Sequence, residues 1–204
     1  METTIIDTGF ANILSIKKAV EFLGFNPIVT TDPLVISKGK HLILPGVGAF
    51  GHVMSHIKKS RIDNAIQEAL VNPENRILGI CLGMQLLAES SEEGIFEPGL
   101  GLIKGISKKI SDSNEIKVPH VGFNSISQTQ DSQLLKDIPP DYNFYFLHSY
   151  ALVPENTPST VATVKYGQLI TSVVEHNNQV YGTQFHPEKS QKTGLKVISN
   201  FLKI

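Results

Sequence analysis

The stretch ILGICLGMQ, residues 77–85, holds the single cysteine of the chain, Cys81. The four residues before Cys81 predict a buried strand, and residues 82–89 have the spacing of a helix. Gly79 and Gly83 flank the cysteine as in the Gly-x-nucleophile-x-Gly elbow, where larger side chains would collide across a sharp turn. The stretch therefore predicts a strand, a turn that exposes a thiol, and a helix whose first amides stabilise a thiolate.

A lone cysteine also has a simpler explanation, because free cysteines are among the residues most often buried in protein cores. The elbow pattern alone does not decide between a core thiol and a nucleophile. A nucleophile needs a base within reach, which must come from elsewhere in the chain.

Short apolar segments alternate with helical segments over the first half of the chain. The predicted elements there are strands at 3–6, 27–30 and 41–44 and helices at 15–23 and 61–70. Ser15 is expected to cap the first helix. Strands that alternate with helices favour a parallel sheet with helices on both faces. Functional groups in such a sheet gather beyond the carboxyl ends of the strands, where Cys81 falls.

The second half of the chain is dominated by short strands and turns. Strands are predicted at 117–118, 143–147, 161–165, 172–175 and 180–185, and a helix at 194–202. Residues 161–185 predict an antiparallel meander. The predicted fold is therefore α/β, an open, mostly parallel sheet flanked by helices on both faces, with an antiparallel extension in the C-terminal half. No linker interrupts the pattern, so residues 1–204 are expected to form a single domain.

The composition excludes several classes of function. A formal net charge of -1 gives no basic field for nucleic acid or for a membrane surface. The first residues, METTIIDTGF, do not predict a secretory signal, and no segment approaches the ~20 apolar residues that span a bilayer. A single cysteine forms no internal disulfide, which suits a reducing cytoplasm.

His186 is the best candidate for a base among the seven histidines. It ends a predicted strand, and Glu188 follows two residues later, so both side chains lie on one side of an extended segment. The carboxylate can then orient the imidazole, although alone the pair would be explained as a turn histidine beside a charge. His52 and His56 have no third ligand and favour an ordinary solvated pair over a metal site.

Two motifs together resemble the class I, or triad-type, glutamine amidotransferases: GICLGMQ at 79–85 and FHPE at 185–188. Further segments, in the expected order, resemble the glutaminase subunits of imidazole glycerol phosphate synthases. These segments are LPGVG (44–48), ESSEEG (89–94), GLGLI (99–103), VPHVGFN (118–124), FYFLHSY (144–150) and FHPEKS (185–190). The resemblance covers essentially the whole chain.

The resemblance implies a glutaminase that needs no metal or organic cofactor. Cys81 would attack the side-chain amide of glutamine, His186 would act as acid and base, and Glu188 would orient His186. The implied oxyanion hole consists of the amides of Val47 and Leu82. The implied contacts to glutamine are Gly46, Gly48, Gln85, Glu93, His148, Ser149 and Tyr150.

The residues themselves support part of this assignment. Gly46 and Gly48 make their loop capable of a peptide flip, since glycine tolerates positive φ. Gln85 lies four residues beyond Cys81, on the same face of the predicted helix. We therefore expect the isolated chain to hydrolyse glutamine slowly, because the Val47 turn is not in its donor conformation.

The partner that the resemblance implies is a separate (β/α)8-barrel cyclase. This cyclase uses ammonia to make imidazole glycerol phosphate and an aminoimidazole carboxamide ribonucleotide in histidine biosynthesis. The expected assembly is a cytoplasmic heterodimer. The positions that the family places at or near the interface are Pro119, His120, Gly122, Phe123 and Lys189.

Some residues depart from the family pattern without touching the triad. Phe123 replaces the usual Trp, Thr8 and Ala11 replace the common Tyr and Gly of the first loop, and Ala151 stands where an aromatic residue is frequent. These departures leave open a second-copy glutaminase that supplies ammonia for amidino groups of surface sugars. A stand-alone γ-glutamyl hydrolase is also compatible with the triad, whereas the intact triad argues against a catalytically silent binding subunit.

Overall fold

The computed structural model describes residues 2–94, 97–112, 116–140, 142–155 and 157–204. The helices are α1 (Ile13–Phe22), α2 (Pro33–Ile36), α3 (Phe50–Lys59), α4 (Ile62–Leu70), α5 (Leu82–Leu86) and α6 (Gln191–Phe201). The strands are β1 (Glu2–Ile6), β2 (Asn26–Thr30), β3 (His41–Gly46), β4 (Arg76–Cys81), β5 (Ala88–Ser91), β6 (Glu97–Pro98), β7 (Ile103–Lys109), β8 (His120–Gln128), β9 (Asn143–His148), β10 (Tyr150–Pro154), β11 (Thr160–Tyr166), β12 (Gln168–His176) and β13 (Val180–Thr183). None of the helices in these ranges is long and apolar enough to cross a membrane.

A mixed sheet forms the centre of the fold. Its strand order, over the described part of the chain, is β2-β1-β3-β4-β13-β12-β11-β8-β9. The strands from β2 to β13 run parallel to their neighbours, and from β13 to β9 each pairing is antiparallel. A second sheet has the order β10-β7-β5-β6. The predicted α/β class with an antiparallel C-terminal extension is confirmed.

Side chains alternate between the two faces of the central strands. Ile43 packs in the apolar core that includes α1 and α6, whereas its neighbours Leu42 and Leu44 pack in the core that includes α3 and α4. All three side chains are fully buried. This alternation explains the continuous apolar sequence of β3, because helices cover both faces of a buried parallel strand.

Several predicted boundaries were wrong. Asn12 caps α1 in place of Ser15, and its side-chain oxygen accepts from the Ser15 N–H at 3.3 Å. The helix after Cys81 ends at Leu86, and the chain then forms β5, which pairs with β7. Residues 117–118 are not in a strand, since β8 begins at His120 and pairs with β9.

Candidate active site

Cys81 lies between β4 and α5 in a strained turn. Its φ and ψ angles are 55° and -112°, a positive-φ conformation that non-glycine residues rarely adopt. A Cβ on Gly83 would lie 1.8 Å from the Leu44 carbonyl oxygen, and one on Gly79 would lie 2.6 Å from the Gly83 carbonyl oxygen. Close backbone approach therefore requires both glycines, as the nucleophile-elbow pattern predicts.

Parallel pairing brings the other predicted segments to the same edge of the sheet. Gly46 pairs with Cys81 across β3 and β4, and Thr183 pairs with Ile80 across β13 and β4. Since these strands end together, the turn after Gly46 and the segment that carries His186 both flank the cysteine.

His186 and Glu188 form a buried pair beside the cysteine. The imidazole Nδ1 lies 2.9 Å from Glu188 Oε1, and both side chains are almost completely buried. Nδ1–H therefore donates to the carboxylate, which leaves Nε2 to exchange a proton with a reacting group. Burial acts to lower the pKa of His186, but the Cys81 sulfur and the Glu188 carboxylate raise it to about 10.

Backbone contacts hold the His186 segment in place. Its N–H donates to the Tyr145 carbonyl oxygen at 2.9 Å, and Ser190 Oγ donates to its carbonyl oxygen at 2.7 Å. The Tyr145 N–H in turn donates to Ser190 Oγ at 2.9 Å. The imidazole is thus positioned by its own carboxylate partner and by strand β9.

The Cys81 thiol has polar neighbours as well as apolar ones. It packs within an apolar core cluster and is 5% exposed, as a structural cysteine would be. Its Sγ, however, lies 3.6 Å from the Leu147 carbonyl oxygen and 3.8 Å from the side-chain nitrogen of Gln184. Cys81 also lines a cavity that could admit a ligand, and a purely structural core cysteine has no need of such a cavity.

That cavity has a volume of about 340 Å³, enough for an amino acid. Its lining gathers the cysteine and nearly all the predicted substrate contacts. The lining residues are Val47, Gly48, Cys81, Leu82, Gln85, Glu93, Pro119, Leu147, His148, Ser149 and Tyr150. Gly46 is the predicted contact that does not line the cavity; it packs against Leu82, whose Cβ would lie 3.1 Å from a Cβ at that position.

Gln85 and Glu93 present oxygen atoms to the cavity. Gln85 Nε2 donates to the Tyr150 carbonyl oxygen at 2.7 Å and to Gln184 Oε1 at 3.2 Å, which leaves Gln85 Oε1 for a ligand. Glu93 Oε2 accepts from the N–H of Phe50 at the start of α3, at 2.8 Å. An amide oxygen and a carboxylate suit an ammonium group.

His148, which lines the cavity, forms a buried, neutral pair with His120. His148 Nδ1 lies 2.9 Å from the Tyr150 carbonyl oxygen, and His148 Nε2 lies 3.0 Å from His120 Nδ1. Burial lowers the pKa of His148 to about 3 and that of His120 to about 4. The His120 ring stacks between Phe146 and Tyr166, at centroid distances of 4.6 and 4.0 Å. At 2% exposed, the His120 side chain lies in the interior, and its place at or near the partner interface stays a prediction.

The other predicted interface residues lie near one surface. Pro119, Phe123 and Lys189 are exposed, and Gly122 is half-buried. The Phe123 ring lies 5.5 Å from the Tyr145 ring, and Lys189 Nζ lies 5.7 Å from the same ring. Phe123 and Lys189 therefore lie on one surface, on either side of contacts with Tyr145.

The two predicted oxyanion donors differ in their hydrogen bonding. The Leu82 N–H is a first-turn amide of α5, immediately after Cys81, and has no partner within the helix. The Val47 N–H donates to the Phe10 carbonyl oxygen at 2.7 Å. Gly48 follows with φ of 101°, which glycine adopts readily. The Val47 amide is thus engaged with the first loop.

Gln184 and Phe10 contact the site but were not predicted from the sequence. Gln184 precedes His186 by two residues, so the period of an extended chain was a signal that both side chains lie on one side. Phe10 contributes only its backbone carbonyl, for which the sequence gives no signal. Over the described residues, no group of three or more His, Cys, Asp or Glu side chains could hold a metal ion.

Comparison with known proteins defines the class. Residues 4–204 match the family model described as glutamine amidotransferase class-I. A solved structure described as glutamine amidotransferase superposes with a TM-score of 0.77 at 15% identity, covering 98% of this chain and 97% of that chain. The structure of PurLQS from Thermotoga maritima gives a TM-score of 0.75 at 18% identity, covering 99% and 97%. The chain belongs to the class-I glutamine amidotransferase family.

Sequence relatives narrow this assignment within the family. The imidazole glycerol phosphate synthase subunit HisH 2 of Methanococcus maripaludis is 42% identical over 199 residues, which cover 98% of each chain. The subunit HisH of Buchnera aphidicola is 41% identical over 204 residues, which cover 100% of each chain. The chain therefore groups with the HisH subunits.

Proposed function

We propose that this chain is the glutaminase subunit of an imidazole glycerol phosphate synthase and releases ammonia from glutamine for a separate cyclase subunit. The observation that carries the proposal is that Cys81 lines a cavity of amino-acid size and has the buried His186–Glu188 pair beside it. The names of the HisH relatives support the assignment to histidine biosynthesis.

The first half of the reaction forms a thioester. Cys81 Sγ–H gives its proton to His186 Nε2, and the thiolate attacks the side-chain amide carbon of glutamine. The carbonyl oxygen becomes an oxyanion, which the Leu82 amide stabilises. His186 then donates its proton to the amide nitrogen, the C–N bond breaks, and ammonia leaves. The γ-glutamyl group remains bonded to the sulfur.

Water completes the reaction. His186 Nε2 accepts a proton from water as the water oxygen attacks the thioester carbon. The second tetrahedral intermediate collapses, the C–S bond breaks, and the sulfur recovers the proton from His186. The products are glutamate and ammonia. Glu188 holds His186 in the same tautomer through both halves, because Nδ1–H stays bonded to its carboxylate.

The cavity lining orients glutamine for this attack. Gln85 Oε1 and the Glu93 carboxylate accept from the α-ammonium group of the substrate. Ser149 and Tyr150 contact the same amino-acid end from the β9–β10 junction. The side chain of glutamine then extends toward Cys81 with its amide carbon next to the sulfur.

The mouth of the cavity points to where the ammonia goes. Pro119 and Leu147 line the cavity and are also exposed on the surface that carries Phe123. A barrel subunit docked on that surface would cover the mouth and receive the ammonia without loss to solvent.

A Cys81→Ser variant tests the proposal. The variant complex should lose glutamine-dependent formation of imidazole glycerol phosphate by at least about a thousandfold, because a hydroxyl is a far weaker nucleophile than a thiolate. Synthesis from free ammonium should persist at the rate of the cyclase alone. Glutaminase activity retained by Cys81→Ser would overturn the mechanism.

The competing assignment is a second-copy glutaminase for surface-sugar synthesis, and one comparison supports it as an alternative. Two relatives from Methanococcus maripaludis are named HisH 1 and HisH 2, at 44% and 42% identity, so one organism carries two such subunits. Capture of this chain from its host, followed by assay of the bound barrel subunit for imidazole glycerol phosphate formation, separates the two pathways.

A further inference from the structure

Gln184 is a fully buried polar residue whose side chain faces the cysteine. It is 0% exposed, and its backbone N–H donates to the Ser172 carbonyl oxygen at 2.9 Å. Its side-chain nitrogen lies 3.8 Å from Cys81 Sγ. A buried amide must satisfy both its donor and its acceptor groups, so its hydrogen-bond partners decide which end of the Gln184 amide faces the sulfur.

The orientation of the Gln184 amide is set by Gln85. Gln85 Nε2 carries two hydrogens, and it donates one to the Tyr150 carbonyl oxygen and the other to Gln184 Oε1. Because Gln184 Oε1 must accept, the NH₂ group of Gln184 is the end that faces the sulfur.

The far end of this network is anchored in the interior. The Tyr150 carbonyl oxygen also accepts from His148 Nδ1. His148 Nε2 is then an acceptor, and His120 Nδ1–H donates to it at 3.0 Å. The hydrogen bonds therefore connect His120, through Tyr150 and Gln85, to the Cys81 sulfur.

The two polar contacts of the sulfur favour different protonation states. The Leu147 carbonyl oxygen, 3.6 Å away, accepts from a thiol but repels a thiolate. The Gln184 N–H donates to either form, and its bond strengthens when the sulfur becomes negative. When the proton passes from Cys81 Sγ to His186 Nε2, the balance between these contacts shifts toward Gln184.

We propose that Gln184 stabilises and positions the thiolate of Cys81, as a catalytic hydrogen-bond donor outside the Cys81–His186–Glu188 triad. The inference rests on the proposed function only in taking Cys81 as the nucleophile. The direction of the Gln184 amide, fixed by Gln85, makes this donor available before glutamine binds. Loss of the donor should therefore affect the reactivity of the sulfur itself, with or without substrate.

The test is the pH dependence of Cys81 alkylation by iodoacetamide, which is specific because the chain has one cysteine. Gln184→Glu keeps the acceptor for Gln85 and replaces the donor by a negative oxygen. The midpoint of the alkylation profile should rise by about one pH unit or more, because a like charge disfavours the thiolate. The other titratable groups around the sulfur, His186 with Glu188, His148 and Glu93, are the same in both proteins.

Gln179→Glu is the matched control. Gln179 Nε2 donates to the carbonyl oxygens of Leu70, Asn72 and Asn75, which do not line the cavity. This variant loses its side-chain donor bonds through the same chemical change, so it reports the effect of general destabilisation. Its alkylation midpoint should equal that of the wild type.

Gln184→Met provides a second route if Gln184→Glu fails to fold. Methionine fills a similar volume and cannot donate, so the midpoint should rise in the same direction by a smaller amount.

In glutamine turnover, either variant should lower kcat by about ten- to a hundredfold with little change in KM. An alkylation midpoint equal to that of the wild type in the folded variant would overturn the inference. If the midpoint shifts in the variant but the wild-type chain itself has no glutaminase activity, the proposed function would be rejected and the role of Gln184 would stand.

Discussion

At the scale of single residues, the charge on His186 links the active site to stability. A histidine in an unfolded chain has a pKa of about 6.5, and in the folded chain the pKa of His186 is about 10. A raised pKa means that the folded state binds the proton more tightly. The stabilisation is complete below pH 6.5, declines as the pH rises, and is lost near pH 10.

We therefore expect the stability difference between the wild type and His186→Gln to narrow as the pH rises from about 6.5 to about 10. Urea unfolding at several pH values measures this difference. In a Cys81→Ser background the sulfur no longer raises the pKa of His186, so the stability difference should depend less on pH. A difference that is constant over this range would contradict the raised pKa.

The glycines of the elbow make a second prediction at the residue scale. Gly83→Ala places a Cβ 1.8 Å from the Leu44 carbonyl oxygen, which neither backbone can avoid without moving. The expected loss of unfolding free energy is about 3 kcal/mol, with loss of glutaminase activity. Gly24→Ala is the control, because Gly24 has a φ of 85° but no neighbour within 4 Å of its Cβ position. That variant should lose only about 1–2 kcal/mol and keep its activity.

The sequence predicted the residues whose pattern is local and missed those whose role depends on distant strands. Cys81 and the His186–Glu188 pair each sit in a short motif at a predicted strand end. The Gln184 amide is oriented by Gln85, which lies on another element, and the Phe10 carbonyl contacts the site through a backbone bond that any residue could make. Contacts of this kind follow from strand order, which periodicity alone does not give.

At the scale of elements, local propensity predicted the strong periodic segments and failed where pairing competes with it. The helix predicted over residues 82–89 ends at Leu86, and β5 begins at Ala88 because it pairs with both β6 and β7. Strand β8 was not predicted at all, since the only strand expected in this region was at residues 117–118, and Gly122, with a φ of 125°, weakens any strand signal within β8. Tertiary pairing overrides single-element propensity in both cases.

The exposed face of β8 and β9 carries a prediction about the partner. Val121, Phe123 and Leu147 are 54%, 53% and 41% exposed, and they form an apolar surface beside the cavity mouth. Phe123→Asp should weaken binding of the barrel cyclase by at least about thirtyfold, because a central aromatic contact is worth about 2 kcal/mol. Titration calorimetry measures the change. Leu169→Asp, at a residue 75% exposed on β12, is the matched control and should bind normally.

At the scale of the whole molecule, strand order decides what meets at the site. The parallel pairings of β3, β4 and β13 bring the Val47 turn, Cys81 and the His186 segment to one edge. The antiparallel extension brings β9 and its neighbour β8 to the same place, since the His186 N–H bonds to Tyr145 of β9. The proposed catalytic groups are therefore carried by neighbouring parallel strands, and the surface proposed for the partner is carried by β8 and β9 at one edge of the same sheet, which the Tyr145–His186 bond brings alongside them.

This arrangement leads to a prediction about activation by the partner. The Val47 N–H donates to the Phe10 carbonyl oxygen, so it is not available to an oxyanion at Cys81. Loss of one oxyanion donor typically costs about 100- to 1000-fold in kcat. The isolated chain should therefore produce glutamate at least about 100-fold more slowly than the complex with a substrate-loaded cyclase. Steady-state assays of the chain alone, with the empty cyclase and with the loaded cyclase separate the effect of docking from that of the cyclase substrate. Equal rates in all three would show that the Val47–Phe10 bond does not limit the reaction, since turnover would then need no rearrangement of this turn.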